Sequence, residues 1–182
     1  MNTLFIDTHY LDIIITLLKD GIVVNKKEVI NKKNNSEYIF PTIIDVLKDE
    51  KIDEIIVVNG PGSFTGVRLG VTIAKTFAYS LKISLKTIDS LKVVAISTSS
   101  KKVALGDGNG YYIGYFNDKY EPIKPYIYLS FEEFNSLSDK NEYIKDYILD
   151  VEKVNNYLKD KESINPHEAK PLYIKKIGVE IG

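Results

Sequence analysis

Cysteine is absent from the 182 residues, which excludes disulfides, thiol nucleophiles and cysteine-ligated metal. Histidine occurs twice, at His9 and His167, and neither has a second ligating residue at metal-site spacing. Arginine occurs once, at Arg68, and the formal net charge is −1 with both signs interspersed. Lysine pairs such as Lys26-Lys27, Lys32-Lys33 and Lys101-Lys102 are scattered, so they read as solvated surface and not as a nucleic-acid face. No apolar run is long enough for a bilayer: Ile13 to Leu18 stops far short of about 20 residues and contains Thr16. The opening residues lack a basic region followed by an apolar core, so no signal peptide is expected. With 44% hydrophobic and 27% charged residues, the chain reads as one or two compact domains in the cytoplasm.

The most informative stretch runs from Ile55 to Leu81. Four apolar β-formers read as a buried strand, and Gly60-Pro61-Gly62 ends it. Ser63 or Thr65 then caps a helix through Leu81. At about 100° per residue its apolar and small positions sweep roughly 200° of circumference. A helix covering one sheet needs a stripe only a little over about 100° wide. Gly66, Gly70, Ala74 and Ala78 form a row of small residues at four-residue spacing. Glycine inside a helix costs about 1 kcal/mol against alanine, so another backbone is expected to come close, with a second helix as the extra cover. As a phosphate loop the stretch fails: position 65 is threonine where G-x-G-x-x-G needs glycine, and Gly66 is followed by Val67-Arg68, not Lys-Ser/Thr. A tight turn feeding a close-packed helix is the reading it supports.

Around this stretch, Thr3–Ile6, Ile13–Leu18 and Ile22–Val29 read as strands, with Lys19-Asp20-Gly21 as a hairpin turn. Ser36 is placed to cap a helix over Glu37–Glu50, in which Pro41 falls near the start and Val46, Ile39, Ile43, Leu47, Phe40 and Ile44 form a wide apolar arc. Ile83–Ile88 follows as a strand, and Ser90 as the cap of a helix to about Ser97. Beyond the boundary at Ser97–Ser100, the strands expected are Val103–Leu105, Tyr111–Phe116 and Ile123–Leu129. Ser130-Phe131-Glu132-Glu133 is a capping box opening a helix to Leu137. Tyr143–Ile148 reads as a strand and Val151–Lys159 as a helix. Gly106-Asp107-Gly108-Asn109-Gly110 fails as a calcium loop, because Tyr112 stands where glycine is required, and reads as a flexible hairpin turn. Tyr111, Tyr112, Tyr115, Tyr126 and Tyr128 at strand spacing read as packing, with base stacking the lesser use.

The run GPGSFTGVRLGVTIAKTFA (Gly60, Pro61, Gly62, Ser63, Phe64, Thr65, Gly66, Arg68 and onward) resembles the signature of the TsaB (YeaZ) family, and LFIDT, NSEYIFPTI, DSL and PLYIK agree with it. The resemblance implies an α/β, actin-like ATPase (ribonuclease H-like) fold of two βββαβα-type halves. Residues 1–98 would be the first half, carrying the pairing helices, and 99–182 a reduced second half. It further implies a non-catalytic subunit that binds TsaD, which transfers threonylcarbamoyl to the adenosine beside the tRNA anticodon. It implies too that TsaE joins a larger complex, that the chain pairs with itself when alone, and that it meets tRNA only indirectly. No cofactor, metal or membrane is implied. Actin-like ATPases place a nucleotide-metal aspartate where Asp7 stands, followed by glycine and hydroxyl residues. Here Thr8-His9-Tyr10-Leu11-Asp12 follows, so Asp7 reads as a strand-end residue. The expected partner surface comprises Ile39, Phe40, Ile43, Ile44 and Leu47 with Val67, Gly70, Val71, Ala74 and Ala78, of which Phe40, Ile43 and Val67 are the outward candidates. An active kinase-like phosphotransferase and a direct tRNA-binding module are the alternatives.

The charge balance makes one outcome checkable without a structure. The isolated chain is expected to bind tRNA weakly at physiological salt, and a gel shift there would expose any nanomolar affinity.

Overall fold

The computed structural model describes residues 1–10, 12–30 and 35–174; the Lys32-Lys33 pair, Leu11 and the side chain of Ser36 lie outside the described residues. Strands β1 (Asn2–Asp7), β2 (Ile13–Lys19) and β3 (Ile22–Val29) are followed by α1 (Asn35–Leu47), β4 (Glu54–Val58), α2 (Phe64–Leu81), β5 (Ser84–Ile88) and α3 (Ser90–Thr98). These build one sheet in the order β3-β2-β1-β4-β5. β2 is antiparallel to β1 and β3, whereas β4 runs parallel to β1 and β5. The β2–β3 hairpin turns on Asp20 and Gly21, both at positive φ (51° and 85°), the mirror-type two-residue turn whose twist matches the strands.

Alternation along the central strands divides the core. Leu4 and Ile6 of β1 with Ile55 and Val57 of β4 pack under α1 and α2. Phe5, Ile56 and Val58 point the other way and meet α3 and a later helix, α5 (Val151–Leu158). All five residues of β4 are buried, as a strand covered on both faces requires.

A second sheet, β6 (Lys102–Gly106), β7 (Gly110–Tyr115) and β8 (Ile127–Ser130), is an antiparallel meander closed by α4 (Phe131–Asn135). The capping box opens α4 as expected, Ser130 accepting from the Glu133 amide and Glu133 from the Ser130 amide. The chain then returns to the first sheet. Lys86, almost wholly buried, pairs with Glu54 at 2.8 Å and donates to the Leu158 carbonyl at 2.9 Å, so a cation partners the C-terminal end of α5. The Ile164 amide donates to Leu85 O and the Leu172 amide to Asn59 O.

Several boundaries depart from expectation, each for a local reason. α1 stops at Leu47 and not at Glu50, because Lys48 turns left-handed (φ 52°). Pro41 sits in its second turn, not at its start. Asp89, not Ser90, caps α3 by accepting from the Lys92 amide. β8 begins at Ile127 rather than Ile123, since Pro122 and Pro125 have no amide to donate. α4 ends at Asn135, short of Leu137. Tyr143–Ile148 is no strand: only Ile144 bridges β6, after which Tyr147 and Leu149 pack on the first sheet.

Burial also narrows the expected partner surface. Ile39, Ile43, Val67, Gly70, Val71, Ala74 and Ala78 are covered by the chain's own sheet and helices, so Ile43 and Val67 do not face outward. Phe40 and Ile44 are each 51% exposed, Leu47 partly. The wide arc of α1 is thus one buried face flanked by an open ridge. Ile43→Glu, which would place a carboxylate in the core, is expected to cost several kcal/mol and abolish the cooperative melt by circular dichroism.

Candidate functional site

β1 and β4 end side by side at Asp7 and Val58, and the turns that follow them meet. Gly60 adopts a φ of 97°, and its loop is anchored by Ser90, whose amide donates to Gly60 O and whose hydroxyl donates to Pro61 O. The Ser63 amide donates to His9 O at 2.6 Å, and the Thr8 hydroxyl donates to Gly66 O at 2.7 Å. A methyl group added at Gly62 would lie 2.1 Å from His9 O, and one at Gly66 2.1 Å from Thr8 O. At Gly70 it would meet the Thr8 hydroxyl at 2.3 Å. The backbone that comes close to the small row of α2 is therefore the turn after β1, which corrects the expectation of a second helix there. Phe40 of α1 does reach α2, edge-on to Phe77 at 5.9 Å.

Three of the amides around the start of α2 are already paired. Besides Ser63, the Gly66 amide is held by the Ser63 hydroxyl, and the Val67 amide by Ser63 O. Thr8 and His9 fill the space against the glycines, so the residues present do not fit a nucleotide polyphosphate at this turn. Among the described residues no group of three or more His, Asp or Glu is arranged to hold a metal ion. Phe64, Thr65 and Arg68 are exposed, with the Arg68 guanidinium 4.2 Å above the Phe64 ring.

Asp7, His9 and Tyr147 form a buried cluster that sequence reasoning missed. His9 Nδ1 donates to Asp7 Oδ1 at 2.6 Å and the Tyr147 hydroxyl to Oδ2 at 2.5 Å. The His9 and Tyr147 rings pack against each other at 4.3 Å, tilted by 54°. Burial pushes the Asp7 carboxyl up, but attraction to His9 and the bonds from His9 and Tyr147 outweigh it, and the group sits below its ordinary value. Burial and then Asp7 raise the Tyr147 hydroxyl well above its ordinary value. The Asp-x-His spacing was a visible signal; a tyrosine 140 residues away was not. Asp89 behaves oppositely: burial wins over Lys92 and the Tyr126 hydroxyl, and its pKa is raised.

Between this cluster and the second sheet lies a cleft of about 770 Å³ whose walls include Tyr10, Phe64, Tyr111, Phe131 and Tyr147. The Gly106–Gly110 turn closes one end. Asp107 accepts from the amides of Asn109 and Gly110 and from the Tyr128 hydroxyl (2.7 Å) within this turn, which makes it a braced hairpin. Burial, then Asp107, pushes the Tyr128 hydroxyl up to about 12.

A five-stranded sheet in this order, with helices on both faces and a site at its carboxyl ends, defines an α/β protein of the actin-like ATPase (ribonuclease H-like) class. Solved structures agree: YeaZ from Pseudomonas aeruginosa matches 94% of this chain and 99% of its own length (TM-score 0.74, 15% identity). A protein with similarity to peptidase YEAZ from the same organism gives a TM-score of 0.75 at 16% identity over 96% of this chain. The family model described as "TsaD: tRNA N6-adenosine threonylcarbamoyltransferase" matches residues 29–124, just over half of the chain. The tRNA threonylcarbamoyladenosine biosynthesis protein TsaB of Bacillus subtilis is 39% identical over 100 residues, 52% of this chain. That of Buchnera aphidicola (Acyrthosiphon pisum) is 31% identical over 75 residues, 38% of this chain. The matched stretches span 44% and 34% of those curated relatives, less than half of their length. The chain belongs to the TsaB (YeaZ) branch of this family.

Tyr147→Phe tests the buried cluster. Because the folded Asp7 carboxyl sits below its ordinary value, its stabilising contribution is present above about pH 4 and lost as pH falls through the lower folded value. Removing the hydroxyl should cost about 1–3 kcal/mol at neutral pH and move the acid-unfolding midpoint upward, both read from melts across pH.

Proposed function

We propose that the chain is a non-catalytic cytoplasmic subunit that binds TsaD and supports TsaD's transfer of threonylcarbamoyl to the adenosine beside the tRNA anticodon. The observation that carries this reading is the turn after β1. The chain's own backbone occupies the space where a phosphotransferase would hold phosphates, and the Ser63, Gly66 and Val67 amides are already paired. The same observation weighs against the kinase-like alternative, and a net charge of −1 weighs against direct tRNA binding.

A subunit that works by contact needs a surface to contact with. On α1, Phe40 and Ile44 stand open to solvent, and Phe40 meets Phe77 of α2 edge-on, so one apolar ridge spans both helices. Pairing TsaD along this ridge, and a second copy of the chain when TsaD is absent, would remove that surface from water. The partly buried Leu47 of α1 and Ile73 of α2 extend it. TsaE then joins the pair, and tRNA is met through TsaD.

The test is a charge placed on the ridge and not beneath it. Phe40→Glu with Ile44→Glu should melt like the parent, sediment as a monomer and fail to capture TsaD, because a carboxylate there would be desolvated only in the pair. Capture of TsaD at parental affinity would overturn the reading. Calorimetry is expected to find no low-micromolar Mg-ATP binding to the parent chain, and such binding would favour the phosphotransferase.

A further inference from the structure

We propose that the cleft above the β1 turn binds an unphosphorylated, purine-sized heteroaromatic molecule, a nucleoside or free base. Its volume of about 770 Å³ falls in the range of small-molecule sites, which are mainly apolar and aromatic with a few polar groups. Six Phe and Tyr rings line it: Tyr10, Phe64, Tyr111, Tyr112, Phe131 and Tyr147. Three of them, Tyr10 (47%), Phe64 (47%) and Phe131 (40%), are among the most exposed aromatics of the chain. Aromatic rings exposed around one concavity form the kind of surface on which a flat base stacks, and Phe64 carries the Arg68 guanidinium over one face.

The polar atoms of the walls set the ligand's charge. Most are already committed within the protein. The Tyr147 hydroxyl is spent on Asp7, so this residue offers the cleft aromatic carbon. Thr8 donates to Gly66 O, the Ser63 amide to His9 O, and Asp107 accepts from its own turn. At the start of α2 the Ser63, Gly66 and Val67 amides are already paired, which leaves a phosphate only part of the amide cluster it needs. The ionisable lining besides His9 is Asp107, Asp146 and Lys145, two acids and one base, so the site does not attract an anion. Lys145 and Asp146 supply one donor and one acceptor for the edge of a base, while the rings supply its faces.

The test is an NMR titration of the isotope-labelled full chain with adenosine, AMP and ATP, run without any partner, so that its outcome is independent of TsaD capture. Adenosine should shift resonances of Gly108, Tyr111 and Phe131 saturably in the micromolar-to-millimolar range, with ATP weaker by about tenfold or more. Phe131→Ala and Phe64→Ala, both on half-exposed rings, should each weaken adenosine about tenfold and leave the melting temperature unchanged. The proposal is overturned if adenosine shifts nothing at its solubility limit. It is equally overturned if ATP binds as tightly as adenosine, or if neither variant changes the affinity.

Discussion

Two carbonyl oxygens of the turn after β1 rest in a notch left by Gly62, just before α2, and Gly66, in its first turn. A side chain at either Gly62 or Gly66 would stand 2.1 Å from one of those oxygens, closer than any non-bonded pair tolerates. The contact joins the first strand of the sheet to the helix that covers it. It also fixes the end of β1, and with it Asp7 and His9. Polar groups at the junction are used in making it: the Thr8 hydroxyl, the Ser63 amide and the Gly66 carbonyl. A phosphate held at such a turn needs free amides and open space, so close packing and phosphate binding are competing uses of one loop.

From that anchor the rest of the chain is tied by two buried polar links. Tyr147 comes from beyond the second sheet to donate to Asp7, and Lys86 ties β5 to β4 and to the end of α5. Both are costly to leave half-made, because a buried carboxylate or ammonium without its partner loses hydration and gains nothing. They explain why the segment after residue 144 abandons the small sheet it had begun to extend. One backbone bridge at Ile144 cannot compete with a buried carboxylate that needs a donor and an apolar face that needs Val151, Val154 and Leu158.

The molecule thereby presents two unlike surfaces. The ridge of Phe40 and Ile44 lies on the α1–α2 side of the sheet and is apolar, continuous and shallow. The cleft lies at the carboxyl ends of the strands, between the β1 turn and the Gly106–Gly110 hairpin, and is concave and ringed by aromatics. Contact with a protein suits the first, enclosure of a small flat molecule the second, and the two share no side chain.

Local pattern carried much of the fold. The short runs of apolar β-formers bounded by turn residues placed the first-half strands to within a residue or two, because strands covered on both faces are apolar along their length. Gly60-Pro61-Gly62 and the Ser130 capping box marked element ends through backbone chemistry that depends on neighbours alone. The density of small residues in α2 announced a close approach, without naming what approached. Only the tertiary structure decided that this was the turn at Thr8, that Ile43 and Val67 face inward while Phe40 and Ile44 face out, and that Tyr147 closes on Asp7. A helical arc gives angles about an axis but not the direction of the sheet beneath it. A hydrogen bond between residues 140 apart leaves no local mark on either. The sequence by itself therefore determined the elements of the first sheet and the tightness of one contact; the fate of Tyr143–Ile148 and the identity of each partner were settled only where the folded chain brought distant groups together.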